Sequence, residues 1–208
     1  MQNLINDIKN LKESGLKKIV EQRLKDFENF KDKSNDEWFS ELCFCILTAN
    51  SRARTAINIQ NQIGIRGFLF SPENNIRDTI KMNKHRFHNN KAKYIVLARN
   101  FSNVKEILNG KNEIEMREWI VENVKGLGYK EASHFLRNVG FKNVAILDRH
   151  ILNLMLENGN LDKRPKTLNK KNYLDIEKKF GEIADEIGMN LAELDLYMWY
   201  LKTGIVLK

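Results

Sequence analysis

Apolar residues return every three to four positions along almost the whole chain, the spacing of one face of a helix. Leu4, Ile5, Ile8 and Leu11 make one stripe, and Leu16, Ile19, Val20, Leu24 and Phe27 make a second beyond Gly15. Ser34-Asn35-Asp36-Glu37 has the form of a capping box, in which the serine takes a backbone amide and the glutamate reaches back. Trp38, Phe39, Leu42, Cys45 and Ile46 follow it. That segment is apolar nearly all round, which predicts a central buried helix. Ala53, Ala56, Ile57, Gln60 and Ile63 predict another helix, ended by Gly64. Ser71-Pro72 predicts an N-cap and a first-turn proline, with Ile76 and Ile80 on the inner face. Residues 89–99 carry Ala92, Ile95 and Val96 at helical spacing, and a short helix is expected after Ser102. Residues 114–124 put Met116, Trp119, Ile120 and Val124 on one side; Lys125-Gly126-Leu127-Gly128 then breaks the pattern. It restarts near Tyr129 with Ala132, Phe135 and Leu136 inward. Val144-Ala145-Ile146-Leu147 is the only strand-like stretch, and Asp148 after it suits the N-cap of a helix through Leu156. Beyond a loop at 158–168 helices resume, and Asn190-Leu191-Ala192-Glu193 caps the last, which runs to about Lys202.

Two prolines and eleven glycines in 208 residues are too little punctuation for a β-sandwich, which needs a turn every 8–12 residues. A chain of this length makes one domain or two small ones, and it buries roughly 70% of its unfolded surface without staples. Charge sharpens the picture. Thirty-five Lys and Arg against 27 Asp and Glu leave a net charge of +8, which fits a polyanionic partner, nucleic acid or an anionic membrane face, as well as a plain Lys-rich surface. The surplus is clustered. Residues 77–99 hold seven basic residues and one acid, and residues 163–171 hold five basic residues. Residues 175–195 lean the other way, with seven acids against Lys178 and Lys179. Cys43 and Cys45 stand two apart on one predicted helix, where they cannot readily bridge. Two thiols exclude a four-cysteine zinc site or an iron–sulfur cluster and fit a reducing compartment. No 18-residue apolar run and no signal-peptide core stands out, so a cytoplasmic setting alongside the chromosome is expected.

The informative chemistry lies at residues 124–152. A helix, a Gly126-x-Gly128 turn and a second helix form a helix–hairpin–helix unit, whose amides and following helix N-terminus suit a DNA phosphate without reading sequence. Taken alone, the two glycines also fit a plain corner between helices. They lack the spacing of a nucleotide-binding P-loop. Lys130 falls in the first turn of the second helix, where the positive end of the helix dipole favours a free amine over an ammonium. Asp148 comes eighteen residues later, beyond one helix and an apolar return stretch that brings it back toward the lysine, a carboxylate suited to stabilising positive charge on a sugar. His134 and His150 are not at metal-ligand spacing; a supporting role for His150 at the Asp148 turn and a helix-flank position for His134 are expected.

Gly126-x-Gly128-x-Lys130-x-Ala132, followed after an apolar run by Asp148-x-His150, resembles the helix–hairpin–helix base-excision DNA glycosylases with lyase activity. Leu47-Thr48-Ala49-Asn50-Ser51 resembles the segment with which those enzymes fill the gap left by an extruded base, and Arg86-Phe87-His88-Asn89-Asn90-Lys91-Ala92 resembles another of their DNA-side segments. The likeness covers roughly residues 36–152. The four-cysteine loop of the endonuclease III class is absent, as is the N-terminal β domain of the eukaryotic 8-oxoguanine enzymes. A helical chain with Leu194-Asp195-Leu196-Tyr197-Met198-Trp199-Tyr200-Leu201 near its end and closing on Lys208 is similar to the type 2, largely archaeal, 8-oxoguanine DNA glycosylases.

That resemblance implies an all-α fold of two helical lobes with an active-site cleft between them. One lobe is a helical barrel at 36–148, with the helix–hairpin–helix at about 112–139; the other joins 1–35 to 149–208. It implies a bifunctional glycosylase and lyase of base excision repair, acting on 8-oxoguanine in double-stranded DNA as a monomer, with no metal or organic cofactor and no obligatory protein partner. Lys130 would attack the sugar and form a Schiff base, and Asp148 would stabilise the developing charge. Lys208 would distinguish 8-oxoguanine from guanine and Trp199 would stack on the flipped base. Gly126, Gly128, Arg86 and Lys91 would hold flanking phosphates, while Asn50 fills the vacated space and Phe87 wedges against neighbouring bases. Two other readings fit the same residues: the same chemistry on another oxidised base, and a non-catalytic DNA-binding protein.

Overall fold

The computed structural model describes residues 2–208, and among them it contains twelve α-helices and no strand. They are α1 Gln2–Lys12, α2 Leu16–Asn29, α3 Asn35–Thr48, α4 Ala53–Phe70, α5 Glu73–Met82 and α6 His88–Ala98. There follow α7 Val104–Leu108, α8 Glu113–Asn123, α9 Tyr129–Asn138, α10 Arg149–Glu157, α11 Lys170–Glu186 and α12 Leu191–Thr203. The chain divides into two compact units, Asp32–Phe135 and the residues up to Lys31 together with Leu136–Lys208. Helix α9 begins in the first and ends in the second.

The Asp32–Phe135 unit is built on α3, which packs against α4, α6 and α7. Every residue of α3 from Trp38 to Thr48 is buried, as its all-round apolar sequence requires. Ser34 and Glu37 close the expected capping box at its start, and the Ser34 amide holds the Glu37 carboxyl below its ordinary value. Both cysteines are buried, and burial pushes the Cys43 thiol well up, out of reactive range. Helix α4 differs from expectation. Gly64 interrupts it (φ 65°, ψ 170°), but the helix resumes to Phe70. Ser71 then terminates α4, donating its amide to Gly67, and Pro72 takes the N-cap place of α5 that had been expected for Ser71.

Helices α8 and α9 form the hairpin. Asn112 caps α8 with a full capping box. Between the helices, Gly126 has φ 92°, and a Cβ there would lie 2.4 Å from Cδ2 of Tyr94. Two independent constraints thus require glycine at this position. Gly128 carries neither: its φ is outside the left-handed region and the nearest atom to a Cβ is a Glu131 carboxylate oxygen at 3.6 Å. Under the hairpin lies Arg117, fully buried, with Nη1 donating to Ser133 Oγ at 3.3 Å and its guanidinium 5.4 Å from the centre of the Tyr129 ring. The Tyr129 hydroxyl donates to Glu118 at 2.6 Å, so both ends of the hairpin are tied across it.

In the second unit, α12 packs against α1, α2, α10 and α11. Its buried Asp195 pairs with Arg137, whose guanidinium also donates to Asn138 Oδ1 and stacks 4.9 Å from the Phe27 ring centre. Residues 144–147 are not a strand. Side chains of α11 bond much of their backbone: Ala145 donates its amide to Glu177 at 2.8 Å, and the Tyr173 hydroxyl donates to the Ala145 carbonyl at 2.6 Å while accepting from the Leu147 amide at 3.3 Å. Ile19 of the second stripe faces solvent, and Trp119 is only half-buried, edge-on to Phe101.

Two stability measurements follow from this packing. Removing one member of a buried ion pair strands the other charge, so Arg137→Leu should lower the urea-unfolding free energy by about 3–5 kcal/mol. Adding Asp195→Leu should recover a large part of that loss. Gly126→Ala should cost about 1–3 kcal/mol, because the left-handed backbone and the Tyr94 ring both resist a methyl group. Gly128→Ala should shift the same unfolding curve far less.

Candidate active site

Lys130 occupies the first turn of α9, three-quarters shielded from solvent, with Nζ 3.1 Å from Oε1 of Glu131. The other Glu131 oxygen accepts the Gly128 amide at 3.4 Å, the return half of a capping box with glycine in the N-cap place. The Leu127 amide closes the turn onto Val124. Among the described residues, the amides of Lys125 and Gly126 in this turn have no backbone carbonyl acceptor.

Lys91, on α6, is 4% exposed. Burial pushes its ammonium pKa down to about 8, an effect that the nearby Glu131 carboxylate opposes and the Lys130 charge reinforces. Lys91 is therefore a buried cation beside the candidate nucleophile, not the surface lysine that the basic run suggested. Arg86 is exposed and lies 5.1 Å from the centre of the half-buried Phe87 ring. Asn50 is exposed in a left-handed turn (φ 61°) just beyond α3, a conformation that asparagine tolerates better than most residues. The Asn50 turn and the Arg86–Phe87 segment are linked through His85, which bonds the Leu47 carbonyl at 3.0 Å and the Phe87 amide at 3.2 Å.

The second unit supplies the other candidates. Asp148 is the N-cap of α10, and its Oδ1 accepts the amides of His150 at 2.8 Å and Ile151 at 2.9 Å. The carboxylate is thereby held in one orientation, with Oδ2 outside both bonds. The His150 ring meets Trp199 edge-on at 5.1 Å. Trp199 is half-buried on α12, and its Nε1 is buried without a hydrogen-bond partner. Such a donor is uncommon in a folded protein and is satisfied when a ligand brings an acceptor. Lys208 is half-buried beyond the left-handed Gly204 that ends α12.

Sequence reasoning missed three residues. Arg117 has the register of the buried face, three before Ile120 and seven before Val124, but its charge argues for the surface. Glu131 has capping-box spacing, hidden by glycine in the N-cap place. His85 gives no periodic signal at all. His134, expected on a helix flank, is buried with its ring 5.7 Å from that of Phe44.

Residues 20–189 match the family model described as 8-oxoguanine DNA glycosylase, Ogg-HhH. The chain is 53% identical over 206 residues to the 8-oxoguanine DNA glycosylase/AP lyase of Methanocaldococcus jannaschii, covering 99% of both chains. It is 45% identical to the Korarchaeum cryptofilum protein of the same name, over 100% of this chain and 99% of that one. The crystal structure of the M. jannaschii protein in complex with a 15mer DNA containing 8-oxoguanine superposes with a TM-score of 0.96 at 52% identity, over 99% of each chain. The 8-oxoguanine DNA glycosylase of Thermotoga maritima superposes with a TM-score of 0.94 at 37% identity, over 100% of this chain and 99% of that one. A hairpin carrying Lys130, a capping Asp148 and this degree of likeness over the full length of the chain lead to one conclusion: the chain belongs to the 8-oxoguanine DNA glycosylase family of helix–hairpin–helix proteins.

Proposed function

We propose that this protein excises 8-oxoguanine from double-stranded DNA and cuts the strand at the resulting abasic site, with Lys130 as nucleophile. The observation that carries the assignment is Lys130 itself, in the first turn after the glycine hairpin and paired with Glu131. An ion-paired ammonium cannot attack, so the pair must first release a proton. The free amine then bonds to C1′ as the bond from C1′ to the base breaks, and the departing base takes up a proton. Asp148 stabilises the positive charge that spreads over the sugar in between. Opening of the sugar leaves a Schiff base on Nζ, and loss of a C2′ proton expels the 3′ phosphate by β-elimination.

The damaged nucleotide has to leave the stack for any of this to occur, at a cost of a few kcal/mol. Arg86, the amides of Lys125 and Gly126, and the weakly screened charge of Lys91 hold the flanking phosphates. Asn50 fills the vacated space and Phe87 presses on the neighbouring bases. Trp199 provides a stacking face for the extruded base, and Lys208 discriminates it from guanine. 8-Oxoguanine carries an N7–H donor and a C8 oxygen that guanine lacks, and a pocket built to bond them leaves a buried group unpaired with the wrong base. Action as a monomer, with no obligatory protein partner, is part of the same proposal. No helix among the described residues is long and apolar enough to cross a membrane, which accords with work alongside the chromosome in the cytoplasm.

Borohydride trapping tests the assignment, using a duplex with one 8-oxoguanine opposite cytosine beside undamaged and thymine-glycol duplexes. A covalent adduct should form on the 8-oxoguanine duplex and vanish in Lys130→Gln. Asp148→Asn, which keeps the helix cap because asparagine also serves there, should slow excision by orders of magnitude without unfolding the protein. An adduct on thymine glycol alone would keep the chemistry and overturn the substrate. Salt titration of duplex binding tests Lys91. Its cation is present below about pH 8 and is lost as the pH rises through that value. Raising the pH from 7 to 9 should therefore reduce the slope of log affinity against log salt by about one, and Lys91→Met should already show the smaller slope at pH 7.

A further inference from the structure

His85 is 3% exposed and belongs to neither helix that it serves. Its Nε2 meets the Leu47 carbonyl at 3.0 Å and its Nδ1 meets the Phe87 amide at 3.2 Å. A carbonyl only accepts and an amide only donates, so the two bonds together require the neutral ring with its proton on Nε2. Burial lowers the pKa of the imidazole, which favours that neutral form. The histidine's own amide bonds Ile80 at the end of α5, and its carbonyl meets Nδ1 of His88 at 3.2 Å. One side chain thus ties the last turn of α3 to the start of α6, with α5 as a third anchor.

The segments joined in this way are the two that the proposed reaction inserts into DNA. Asn50 lies three residues beyond Leu47, and Phe87 is both the amide donor to His85 and the wedge. Backbone strain marks the same place. Among the described residues only two non-glycine residues have positive φ, Asn50 at 61° and Lys84 at 58°, and Lys84 directly precedes His85. A left-handed lysine is strained and persists only where its surroundings impose it. At Lys84 the main chain imposes it: the His85 amide bonds the Ile80 carbonyl and the Lys84 amide bonds that of Lys81, the closure that ends α5.

We propose that His85 is a positioning residue for base extrusion: by bonding Leu47 and Phe87 at once it holds the Asn50 turn and the Arg86–Phe87 segment at the separation needed to enter the stack together. This rests on the roles given to Asn50 and Phe87 under the proposed function. His85 touches neither the base nor the sugar. Its loss slows the opening of a paired lesion and leaves the later bond-breaking steps at Lys130 intact.

Single-turnover excision on two duplexes tests this, one with 8-oxoguanine opposite cytosine and one with 8-oxoguanine opposite a non-cleavable abasic analogue, where no pairing has to be broken. In His85→Phe the rate on the unpaired lesion relative to the paired one should rise at least about tenfold over wild type, the effect of one or two stranded buried hydrogen-bonding groups. His85→Gln retains a donor toward Leu47 and should fall between the two. Partial unfolding lowers both rates equally and leaves the ratio untouched, so a purely structural histidine predicts an unchanged ratio, and that result overturns the proposal. Should His85→Phe fail to fold, the ratio in His85→Gln decides. Wild-type protein that cuts neither duplex would sink the proposed function itself, whereas wild type that cuts both, with an unchanged ratio in the variants, sinks only the role of His85.

Discussion

The close approach of the Tyr94 ring to the backbone of Gly126 is the constraint on which the rest of the Asp32–Phe135 unit turns. No side chain fits between them, so α6 is pressed directly onto the hairpin. That contact fixes one helix carrying Lys91 against another carrying Lys130 and Glu131. Three charged groups are thereby gathered at a place where water is scarce, and their mutual fields are strong for that reason. Arg117 supports the arrangement from below. A buried guanidinium is costly unless its donors are used, and its Nη1 donates to Ser133 while its face lies against the Tyr129 ring, one residue before the candidate nucleophile.

The second unit holds its candidate carboxylate differently. Asp148 is held by its own helix, through two amides on a single oxygen, and needs no neighbouring cation. A cap of this kind sets the direction of the side chain as firmly as a salt bridge does, without neutralising it. Lysine and aspartate, the two groups assigned to the reaction, are thus oriented by two distinct local devices.

Much of this was legible in the sequence. The capping box at Ser34 and the N-cap at Asp148 could be read because local chemistry decides them within four residues. The burial of α3 followed from an apolar pattern with no polar face. Legibility failed where a distant partner decides the outcome. The apolar run at 144–147 reads as a strand from propensity alone, yet among the described residues there is no strand to pair with, and it takes hydrogen bonds from α11. Gly64 reads as a stop because nothing local says that the helix resumes beyond it. Lys91 sits in a basic run that suggests a solvated face, and only tertiary packing reveals that its ammonium is buried. His85 was silent because both its partners are backbone atoms, which leave no trace in a pattern of side chains.

The extended segment at 144–147 has a consequence of another kind. It is the most strand-like stretch of the chain, and an open row of amides and carbonyls on such a segment is a template for pairing with a second molecule. The Tyr173 hydroxyl and the Glu177 carboxylate already occupy the groups through which that pairing would begin. Helix α11 therefore acts as a sheath as well as a packing element, and shortening Tyr173 would leave the Ala145 carbonyl and the Leu147 amide without their partner inside the protein.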